Sequence, residues 1–554
     1  MDMNKLRNKS VSVILGGGII GVFIFLLIYG WEVIDFTNDG WLFSGEDISQ
    51  HYFGWLYYRM SDIKWPLGII DNMVDLNISI IFMDSIPLLA LILKFFNELL
   101  PATFQYFGLW GVFSYGMMGA IASYIIYIFS KNCIIGWLGS VFFITSPYML
   151  QRMFSHTSLA GQWVILLAIM IWVFNIGKEN IYKKTIIWTS MLAMVALIHL
   201  YFIPMIFVFC FVDMLRFCIT RKNVYGIVIS IIPVVITLLE LYMLGAFSES
   251  SEYVAWGLGY YSANINVLIN SMNMTSILPA FPFGEGQYEG FGYLGLGILI
   301  LLVIDLIVIL KNKEEFVKEI KQYSISVVCT GIILIVFFIL SLSPTVMLGS
   351  EILFTIHWPE IIMKILRIFR ASGRFIWCVS YLVMVFTFIV LCKWCKKKNI
   401  IIAISICCCI QIVDIMPLIE TKKTQISTNM EIQNLIDDDL LKIVLKDKEK
   451  IVFTPYNCVY NNSKMTYALA LYCYKNNLEM NSFYVSRLDS SIMQDLDAQY
   501  KNQILSKEAE QYAYVFYSKE DFFEDEYHLF YYQIGDIMIG VTSEILELED
   551  LRIA

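Results

Sequence analysis

The sequence predicts an α-helical polytopic membrane protein that ends in an α/β domain outside the membrane. Of its 554 residues, 58% are hydrophobic and 16% are charged, whereas soluble domains carry about 25% charged residues. Apolar runs long enough to cross a bilayer recur along most of the chain. The acidity is concentrated at the end, because the segment from Leu418 onward has 13 basic and 23 acidic residues.

The first apolar run, 11–29, follows Lys5, Arg7 and Lys9. No small-residue cleavage site follows it, so we interpret it as a retained first helix and not as a signal peptide. Its GGGIIG stretch, 16–21, formally matches a dinucleotide fingerprint. Because no strand precedes the stretch, packing of small residues against another helix is the better interpretation.

The later spans follow from the basic clusters, since short loops rich in Lys and Arg tend to stay in the cytoplasm. Two apolar spans fit between consecutive clusters, which predicts about eleven spans, a cytoplasmic N-terminus and an extracytoplasmic tail. The predicted spans are 11–30, 105–129, 133–149, 159–176, 185–200, 201–219, 224–246, 292–310, 324–345, 374–393 and 399–417. This organisation gives a transmembrane domain, 1–417, and an acidic extracytoplasmic α/β domain, 418–554, in a multi-pass protein of the cell membrane.

Large outer segments are predicted at 31–104, 248–291 and 343–374. The run 78–96 is nearly long enough to span, but Asp84 and Pro87 interrupt it. A span there would also move every later basic cluster outside, so we predict an interfacial or re-entrant helix. The turn HLYFIP would lie below the outer surface, where irregular backbone is tolerated only beside protein or a wet cavity. We therefore expect His199 to face a cavity.

Strands and helices alternate in the tail. KIVFTPY (450–456) and EMNSFYVS (479–486) are typical of strands on either side of a helix, 464–477, and the region 513–543 adds two or three more strands. Strands separated by a helix predict a partly parallel sheet. Cys458 and Cys473 are the only cysteines of the tail, and a disulfide between them depends on a geometry that the sequence does not give.

The stretch SGEDISQHYFGWLYY, 44–58, places Glu46, Asp47 and His51 close together in the first outer segment. Aromatic residues surround Asp47, and burial among them would suit its carboxylate to proton abstraction. The alternative is structural, because Ser44 or Asp47 could be the N-cap of the helix that follows. Spacing alone leaves both interpretations open.

Several basic residues lie in predicted outer segments, against the positive-inside trend. They are Arg59, Lys64, Arg152, Lys364, Arg367, Arg370 and Arg374. Arginine binds phosphate through a two-pronged fork of hydrogen bonds, so the cluster KILRIFRASGRF favours a phosphate site. Lipid headgroups and structural ion pairs are the alternatives. Glu240 is a further candidate cavity carboxylate, and Asp213 with Arg216 is predicted to form a simple ion pair at i and i+3.

The sequence excludes several other functions. It has no P-loop, HExxH or GxSxG motif. No set of histidines and cysteines in the outer segments has zinc-site spacing, so we expect neither a metal nor a cofactor. The acidity of the tail argues against a nucleic-acid partner.

Six stretches carry a resemblance to a known family. GEDISQHYFGWLYYR, MDSIPLLAL, RMFSHTSLAGQWVILLAI, IHLYF, GFGYLGLG and RIFRASGRF together resemble a bacterial multi-pass family catalogued mainly as a domain of unknown function. That family looks like the GT-C superfamily of integral-membrane glycosyltransferases, and the resemblance covers most of 1–417. It implies a GT-C-like fold, a large first outer loop with juxtamembrane helices, and a polyprenyl-phosphate sugar as donor substrate.

The resemblance also implies roles for individual residues. Asp47 corresponds to the acidic first-loop residue that activates the acceptor hydroxyl, and Glu46 beside it leaves the assignment open by one position. The arginines match no fixed position of the family and are proposed from charge alone. The candidate phosphate ligands are Arg370, Arg374, Arg152 and Arg59, and the candidate pocket residues are His51, Asp84, His156, His199 and Glu240.

The expected function is transfer of a sugar from a lipid-linked donor in the bilayer, with inversion, to an envelope acceptor outside the cell. The acceptor would be an envelope glycan, a teichoic-acid-like polymer or a glycolipid. One alternative is a transporter or flippase of lipid-linked sugars, which is expected to show internal repeats and charges at mid-bilayer depth. Another is a non-enzymatic scaffold for envelope assembly. Convergence of Asp47, His156, His199 and Arg374 on one cavity would favour the enzyme.

Overall fold

A computed structural model describes residues 3–178, 180–248, 256–485, 490–504, 507–522 and 529–553. The chain is mostly helical, with a small sheet near its C-terminal end. It divides into two compact units, each made of separate stretches of sequence. Unit 1 comprises Met1–Ile34, Tyr106–Glu240 and Ala255–Thr424, and unit 2 comprises Asp35–Gln105, Leu241–Val254 and Gln425–Ala554.

The helices and strands are numbered in chain order. The first helices are α1 (Met3–Tyr29), α2 (Glu46–Met60), α3 (Pro87–Lys94), α4 (Phe107–Ser130), α5 (Cys133–Ile144), α6 (Pro147–Arg152), α7 (Trp163–Phe174), α8 (Ile181–Ala196), α9 (Phe202–Arg221), α10 (Tyr225–Ile229) and α11 (Ile231–Met243). The later helices are α12 (Leu296–Lys311), α13 (Lys313–Gln322), α14 (Ser324–Leu342), α15 (Glu360–Ile368), α16 (Ile376–Trp394), α17 (Lys397–Asp414), α18 (Met416–Ser427), α19 (Asp438–Val444), α20 (Ser463–Asn476) and α21 (Ser490–Gln503). The strands are β1 (Ile69–Ile70), β2 (Ile78–Ser79), β3 (Thr345–Leu348), β4 (Glu351–Thr355), β5 (Lys450–Phe453), β6 (Glu479–Met480), β7 (Tyr512–Phe516), β8 (Phe530–Ile534) and β9 (Ile537–Val541).

Seven helical segments of the described chain are long and apolar enough to cross a membrane. They are Asn8–Tyr29, Phe107–Ser130, Thr157–Phe174, Phe202–Arg221, Tyr225–Met243, Ser324–Leu342 and Ser372–Trp394. The bent pair α17 and α18 would be an eighth if it forms one span. Each of these segments coincides with a predicted span, so the prediction of a polytopic membrane protein is supported at this level.

The remaining predicted spans are shorter helices. α5 has 12 residues, and α8 and α12 have 16 residues each. At 1.5 Å per residue they measure roughly 18 to 24 Å, against a hydrocarbon core about 30 Å thick. The predicted division of the region around 185–220 at HLYFIP is confirmed, because α8 ends at Ala196 and α9 begins at Phe202.

Glycines bring α1 and α4 into close contact. A Cβ added at Gly17 would lie 2.4 Å from the Gly119 carbonyl oxygen, and one added at Gly21 would lie 2.0 Å from the Tyr115 carbonyl oxygen. Such distances leave no room for a side chain, as in other close helix pairs built on small residues. The GGGIIG stretch is therefore a helix-packing surface, as predicted.

Unit 2 contains the sheet that the alternation in the tail predicts. Its strand order is β6-β5-β7-β9-β8. β5 is parallel to β6 and β7, while β9 is antiparallel to β7 and β8. Strands β5, β7, β8 and β9 and the predicted helix, now α20, lie where the sequence places them. Of the predicted strand 479–486, only Glu479–Met480 is a strand within the described residues. Cys458 and Cys473 are both buried and free, so they do not form a disulfide here.

The first loop shares a core with the C-terminal sheet domain. From α2, the Phe53 ring packs 5.1 Å from the Phe483 ring and 5.8 Å from the Tyr467 ring. The Tyr57 hydroxyl donates a 2.9 Å hydrogen bond to the Ala470 carbonyl oxygen of α20. The core of unit 2 thus combines two segments that are far apart in sequence. The division into a transmembrane domain, 1–417, and an extracytoplasmic domain, 418–554, stays a prediction.

Asp75 fastens the same loop to the sheet. Its carboxylate forms an ion pair with Lys450 of β5 and accepts a 2.7 Å hydrogen bond from the Tyr500 hydroxyl. Its backbone N–H donates to the Asn481 carbonyl oxygen. Through Asp75 the first loop is therefore bonded to β5, to α21 and to the backbone that follows β6.

The run 78–96 forms three short pieces within unit 2. They are β2 (Ile78–Ser79), a 3-10 turn that covers Ile80–Met83, and α3, which has eight residues. Between the turn and α3, Asp84 and Ile86 take φ values of 55° and 51°, a left-handed conformation that is uncommon outside glycine and rare for a β-branched residue such as Ile86. A helix of this length measures about 12 Å, too short to cross a bilayer, which agrees with a non-spanning segment.

Candidate functional site

Glu289 is the centre of a buried charged cluster in unit 1. It lies in a 3-10 turn, Gln287–Gly290, and its side chain is 9% exposed. A second turn, Ser372–Phe375, contacts the first through two glycines. A Cβ at Gly373 would lie 2.6 Å from the Gly290 Cα. Because neither glycine has a side chain, the turns approach closely enough for the residues beside them, Glu289 and Arg374, to meet.

Two buried arginines hold the Glu289 carboxylate. Arg374 donates to Oε2 from Nε at 2.9 Å and from Nη2 at 2.7 Å. Arg152, the last residue of α6, approaches the same oxygen with Nη2 at 3.0 Å and donates to the Glu289 carbonyl oxygen at 2.9 Å. Charge-assisted bonds of this kind fix the orientation of a guanidinium more strictly than a lone charge would. We call Glu289, Arg152, Arg374 and His156 the Glu289 cluster.

Aromatic rings restrict the same two arginines. The Arg374 guanidinium lies 4.6 Å from the centre of the Tyr201 ring, and that of Arg152 lies 5.7 Å from the Trp377 ring. The Tyr201 hydroxyl accepts a 2.8 Å hydrogen bond from the Ala371 N–H. The cations are therefore held between a carboxylate and aromatic faces, an arrangement that favours retained charge.

A histidine and a lysine lie next to this carboxylate and its arginines. The His156 Nε2 lies 3.6 Å from Glu289 Oε1. Lys422, also buried, donates a 2.8 Å hydrogen bond to the hydroxyl of Ser155, the residue before His156. Two guanidiniums thus share one buried carboxylate, and a lysine lies beside the adjoining segment. Guanidiniums oriented in this way are typical of sites that bind anions through charge-assisted hydrogen bonds.

The electrostatics of Glu289 exclude it as a general base near neutral pH. Burial alone would raise the pKa of its carboxyl group, but Arg152 and Arg374 outweigh burial and hold that pKa well below its usual range. A general base works best with a pKa near the working pH. Glu289 therefore orients the two arginines and does not accept a proton from substrate.

Three other predicted site residues of unit 1 are His199, Arg370 and Glu240. His199 accepts a 3.1 Å hydrogen bond from the Tyr201 N–H and contacts the Tyr201 ring, so it lies behind the ring that contacts Arg374. Arg370 is half-buried, 5.8 Å from the Tyr261 ring. Glu240 is half-buried on α11, and its Oε2 meets no hydrogen-bond donor in the described part of the chain.

Arg59 has a structural role in unit 2. Its Nε donates to Asn97 Oδ1 at 2.6 Å, and Nη1 donates to the carbonyl oxygens of Pro101 and Ala102. Nη2 lies 3.4 Å from two more carbonyl oxygens of the same loop, 97–102. Since protein acceptors surround the whole guanidinium, its contacts explain its burial without a phosphate.

The start of α2 places the first-loop carboxylates. The helix begins at Glu46 after Gly45 as N-cap, and no side chain caps it. The alternative in which Ser44 or Asp47 is the N-cap is therefore wrong. Glu46 is exposed and lies 3.4 Å from the Ser463 hydroxyl. Asp47 is half-buried, and both carboxylates lie in the first turn, where the helix dipole favours negative charge.

Asp47 and His51 lie on one face of α2, because residues four apart are neighbours on a helix. The His51 Nε2 is 3.2 Å from Asp84 Oδ2, and His51 is almost completely buried. Ser85 donates a 2.6 Å hydrogen bond to the His51 carbonyl oxygen. Gly54 permits this approach, since a Cβ there would lie 2.6 Å from the Ser85 hydroxyl. Unit 2 thus pairs His51 with Asp84, and Asp47 lies one helical turn before His51.

Sequence reasoning missed Glu289. It immediately precedes GFGYLGLG, the glycine-rich stretch beside which it is held. A single glutamate before a glycine-rich stretch carries no periodic or motif signal, and its two arginine partners lie 137 and 85 positions away. Only the fold shows that three separate segments meet there.

Comparison with known proteins identifies the family. Residues 18–416 match the family described as Domain of unknown function (DUF6311), and residues 441–542 match the DUF6311 C-terminal domain. No curated protein matches the chain significantly. Because the first match alone covers well over half of the sequence, the chain belongs to the DUF6311 family.

Proposed function

We propose that the protein is an integral-membrane glycosyltransferase of the GT-C type. It transfers a sugar from a polyprenyl-phosphate donor to a cell-envelope acceptor on the extracytoplasmic face. The observation that carries the proposal is the Glu289 cluster, in which two buried arginines are oriented by one shared carboxylate. A phosphate monoester leaving group needs such a site, and oriented arginines stabilise charge as it develops.

In the proposed reaction the acceptor hydroxyl attacks the anomeric carbon of the donor sugar. The bond between that carbon and the phosphate oxygen breaks, and polyprenyl phosphate leaves with the bonding electrons. Arg152 and Arg374 stabilise the departing phosphate, and Arg370 is a further candidate for that role. Asp47 accepts the proton of the hydroxyl, and a single displacement inverts the configuration.

Asp47 is preferred to Glu46 for two reasons. It is half-buried, whereas Glu46 is exposed. It also lies one helical turn before His51, whose imidazole contacts Asp84. The finer topology belongs to the same proposal: about eleven spans including the short α5, α8 and α12, a cytoplasmic N-terminus and an extracytoplasmic tail.

The base assignment is tested by replacing the chromosomal gene with Asp47→Asn or Glu46→Gln and quantifying envelope glycans by mass spectrometry. Loss of a positioned base lowers the rate by roughly 100-fold or more, so Asp47→Asn is expected to remove the glycan while the protein level stays normal. Glu46→Gln is expected to leave the glycan unchanged. The reverse result assigns the base to Glu46, and full activity of both variants contradicts a first-loop base.

The leaving-group site is tested with Arg374→Lys, which keeps the charge but loses the two-pronged contact. Arg367→Lys is the matched control, because Arg367 forms an exposed pair with Glu360 about two helical turns away in sequence. We expect the glycan to be lost only in Arg374→Lys. Normal glycan in both variants would remove the main support for the proposal.

A periodate assay separates the enzyme from the transporter. If transfer fails, the sugar lipid accumulates in the outer leaflet, where an oxidant that does not cross the membrane reaches the sugar diols. If transport fails, the sugar lipid stays in the inner leaflet and is protected. Accumulation of a periodate-sensitive sugar lipid in cells carrying Asp47→Asn supports the transferase, and a protected lipid supports the transporter.

A further inference from the structure

An aromatic cluster lies beside the Glu289 cluster in unit 1. It consists of four side chains, Trp256, Tyr260, Tyr261 and Tyr288. The ring centres lie 4.8 Å apart for Trp256 and Tyr260, 5.0 Å apart for Tyr260 and Tyr261, and 6.3 Å apart for Tyr261 and Tyr288. Trp256 is 65% exposed and Tyr288 is 45% exposed. Grouped aromatic rings that reach the surface are typical of binding sites.

Backbone contacts connect the aromatic cluster to both turns of the Glu289 cluster. The Tyr261 carbonyl oxygen accepts a 3.0 Å hydrogen bond from the Gly373 N–H, which belongs to the turn Ser372–Phe375. Tyr288 belongs to the other turn, and its carbonyl oxygen lies 3.4 Å from Arg152 Nη2. A group that is covalently attached to an anion at the arginines would therefore lie close to these rings.

Two glycines set the positions of two rings. Gly257 has a φ of 116° and Gly286 has a φ of 81°, values that other residues rarely adopt. A Cβ added at Gly257 would overlap the Tyr261 ring, and one added at Gly286 would overlap the Tyr260 ring. Both rings therefore lie directly against backbone, which restricts their movement. A ligand that stacks on restricted rings loses less conformational entropy on binding.

Polar groups lie beside the rings. Arg370 Nη1 is 3.5 Å from the Trp256 carbonyl oxygen, and Glu285 interacts with the Tyr260 hydroxyl. Gln151 Nε2 donates to the Tyr288 carbonyl oxygen, while Gln151 Oε1 is buried and meets no hydrogen-bond donor in the described part of the chain. A buried acceptor without a donor is costly. Ligand hydroxyl groups, which both donate and accept, match this set of side chains.

A sugar combines such hydroxyl groups with an apolar face. The face of an aromatic ring is negative, whereas the C–H groups of a pyranose are slightly positive, so the two stack. We propose that the aromatic cluster binds the pyranose of the lipid-linked donor, an inference that rests on the proposed function. The pyranose is a neutral one, because Glu285 would repel an acidic sugar and Arg370 would repel a protonated amino sugar.

The alternative role for the aromatic cluster is anchoring at the membrane surface, where Trp and Tyr are also common. Anchoring requires neither rings held against glycines nor hydrogen bonds to the turns of a buried charged cluster. The described contacts therefore favour the sugar, and the membrane role is one outcome of the test.

Binding is measured by native mass spectrometry on the purified full-length protein, in a detergent without a sugar headgroup. The probes are farnesyl phosphate esterified with glucose, galactose, mannose or N-acetylglucosamine, and farnesyl methyl phosphate, a diester with the same charge and no sugar. At least one sugar diester is expected to bind roughly 10-fold more tightly than the methyl diester, if two rings contact the sugar. Equal binding of all diesters overturns the inference and leaves the leaving-group site intact. If no diester binds and farnesyl phosphate does not bind either, the proposed function itself is contradicted.

Single variants then locate the contact. Trp256→Leu and Tyr288→Leu should each weaken binding of the preferred sugar diester roughly 2- to 10-fold and leave the methyl diester unchanged, whereas Trp256→Phe keeps a ring and should retain most of the binding. The control is Trp31→Leu, because Trp31 is a 73% exposed tryptophan directly after α1. Equal weakening of both diesters would assign the rings to lipid contact or to folding. That result, unchanged binding in both leucine variants, or the same loss in Trp31→Leu would reject the sugar site.

Discussion

The Glu289 carboxylate orients two buried arginines and offsets part of their charge. Without it, Arg152 and Arg374 would be like charges held close together in a low-dielectric environment, which is costly. With it, both guanidiniums are oriented and held at one place in the fold. Its role is thus to make the burial of two like charges side by side possible.

We expect Glu289→Gln to destabilise the protein strongly. Removal of one partner of a buried ion pair typically costs about 3–5 kcal/mol, because the other charge stays buried. The midpoint of thermal unfolding in detergent should fall well below that of the wild type. Glu360→Gln, which breaks the exposed pair with Arg367, is the control and should leave the midpoint unchanged. An unchanged midpoint in Glu289→Gln would contradict the role given to this carboxylate.

The pH dependence of stability provides a second measurement on Glu289. Its pKa is lower in the folded protein than in the unfolded chain. Its contribution is therefore complete above the unfolded pKa of about 4.3 and is lost as the pH falls through the folded pKa. The wild-type midpoint should decline more steeply in acid than that of Glu289→Gln, and parallel curves would contradict the ion-pair assignment.

At the scale of elements, the contact of α1 with α4 depends on glycines at particular positions. A side chain at Gly21 would collide with the Tyr115 carbonyl, whereas one at Gly18 would find its nearest atom, the Gly116 oxygen, at 3.6 Å. We expect Gly21→Ala to lower stability by about 1–3 kcal/mol, as overpacking does, and Gly18→Ala to be nearly neutral. Thermal unfolding of the two variants tests this contrast, and equal effects would show that the helices adjust their distance.

The sequence predicted elements well where a local pattern specifies them. Apolar runs predicted the long helices, and β-branched and aromatic stretches predicted β5 and β7 of the tail. The end of α2 nearest the candidate base was less predictable, because Gly45 is its N-cap and not a polar residue. The approach of Gly290 to Gly373 was not predictable at all, since the contact of two distant turns has no local signal.

At the scale of the whole chain, unit 2 is built from two distant segments, 35–105 and 425–554, with a short piece between them. The tail expressed alone would expose the surface that Phe53 and Tyr57 cover on Tyr467, Phe483 and α20. We expect residues 425–554 alone to bind a hydrophobic dye and to aggregate, and co-expression of 35–105 to suppress both. A stable, dye-negative tail would show that the shared core is dispensable.

Because the core of unit 2 combines two distant segments, it cannot form until the second of them has been synthesised. About 320 residues separate the end of the first loop from the start of the tail. At ~5–20 residues per second, the ribosome needs roughly 15–60 s to make them. Throughout that interval the apolar face of α2 has been made and its partner has not. The nascent first loop therefore exposes this apolar face until residues 425–554 are made and can cover it.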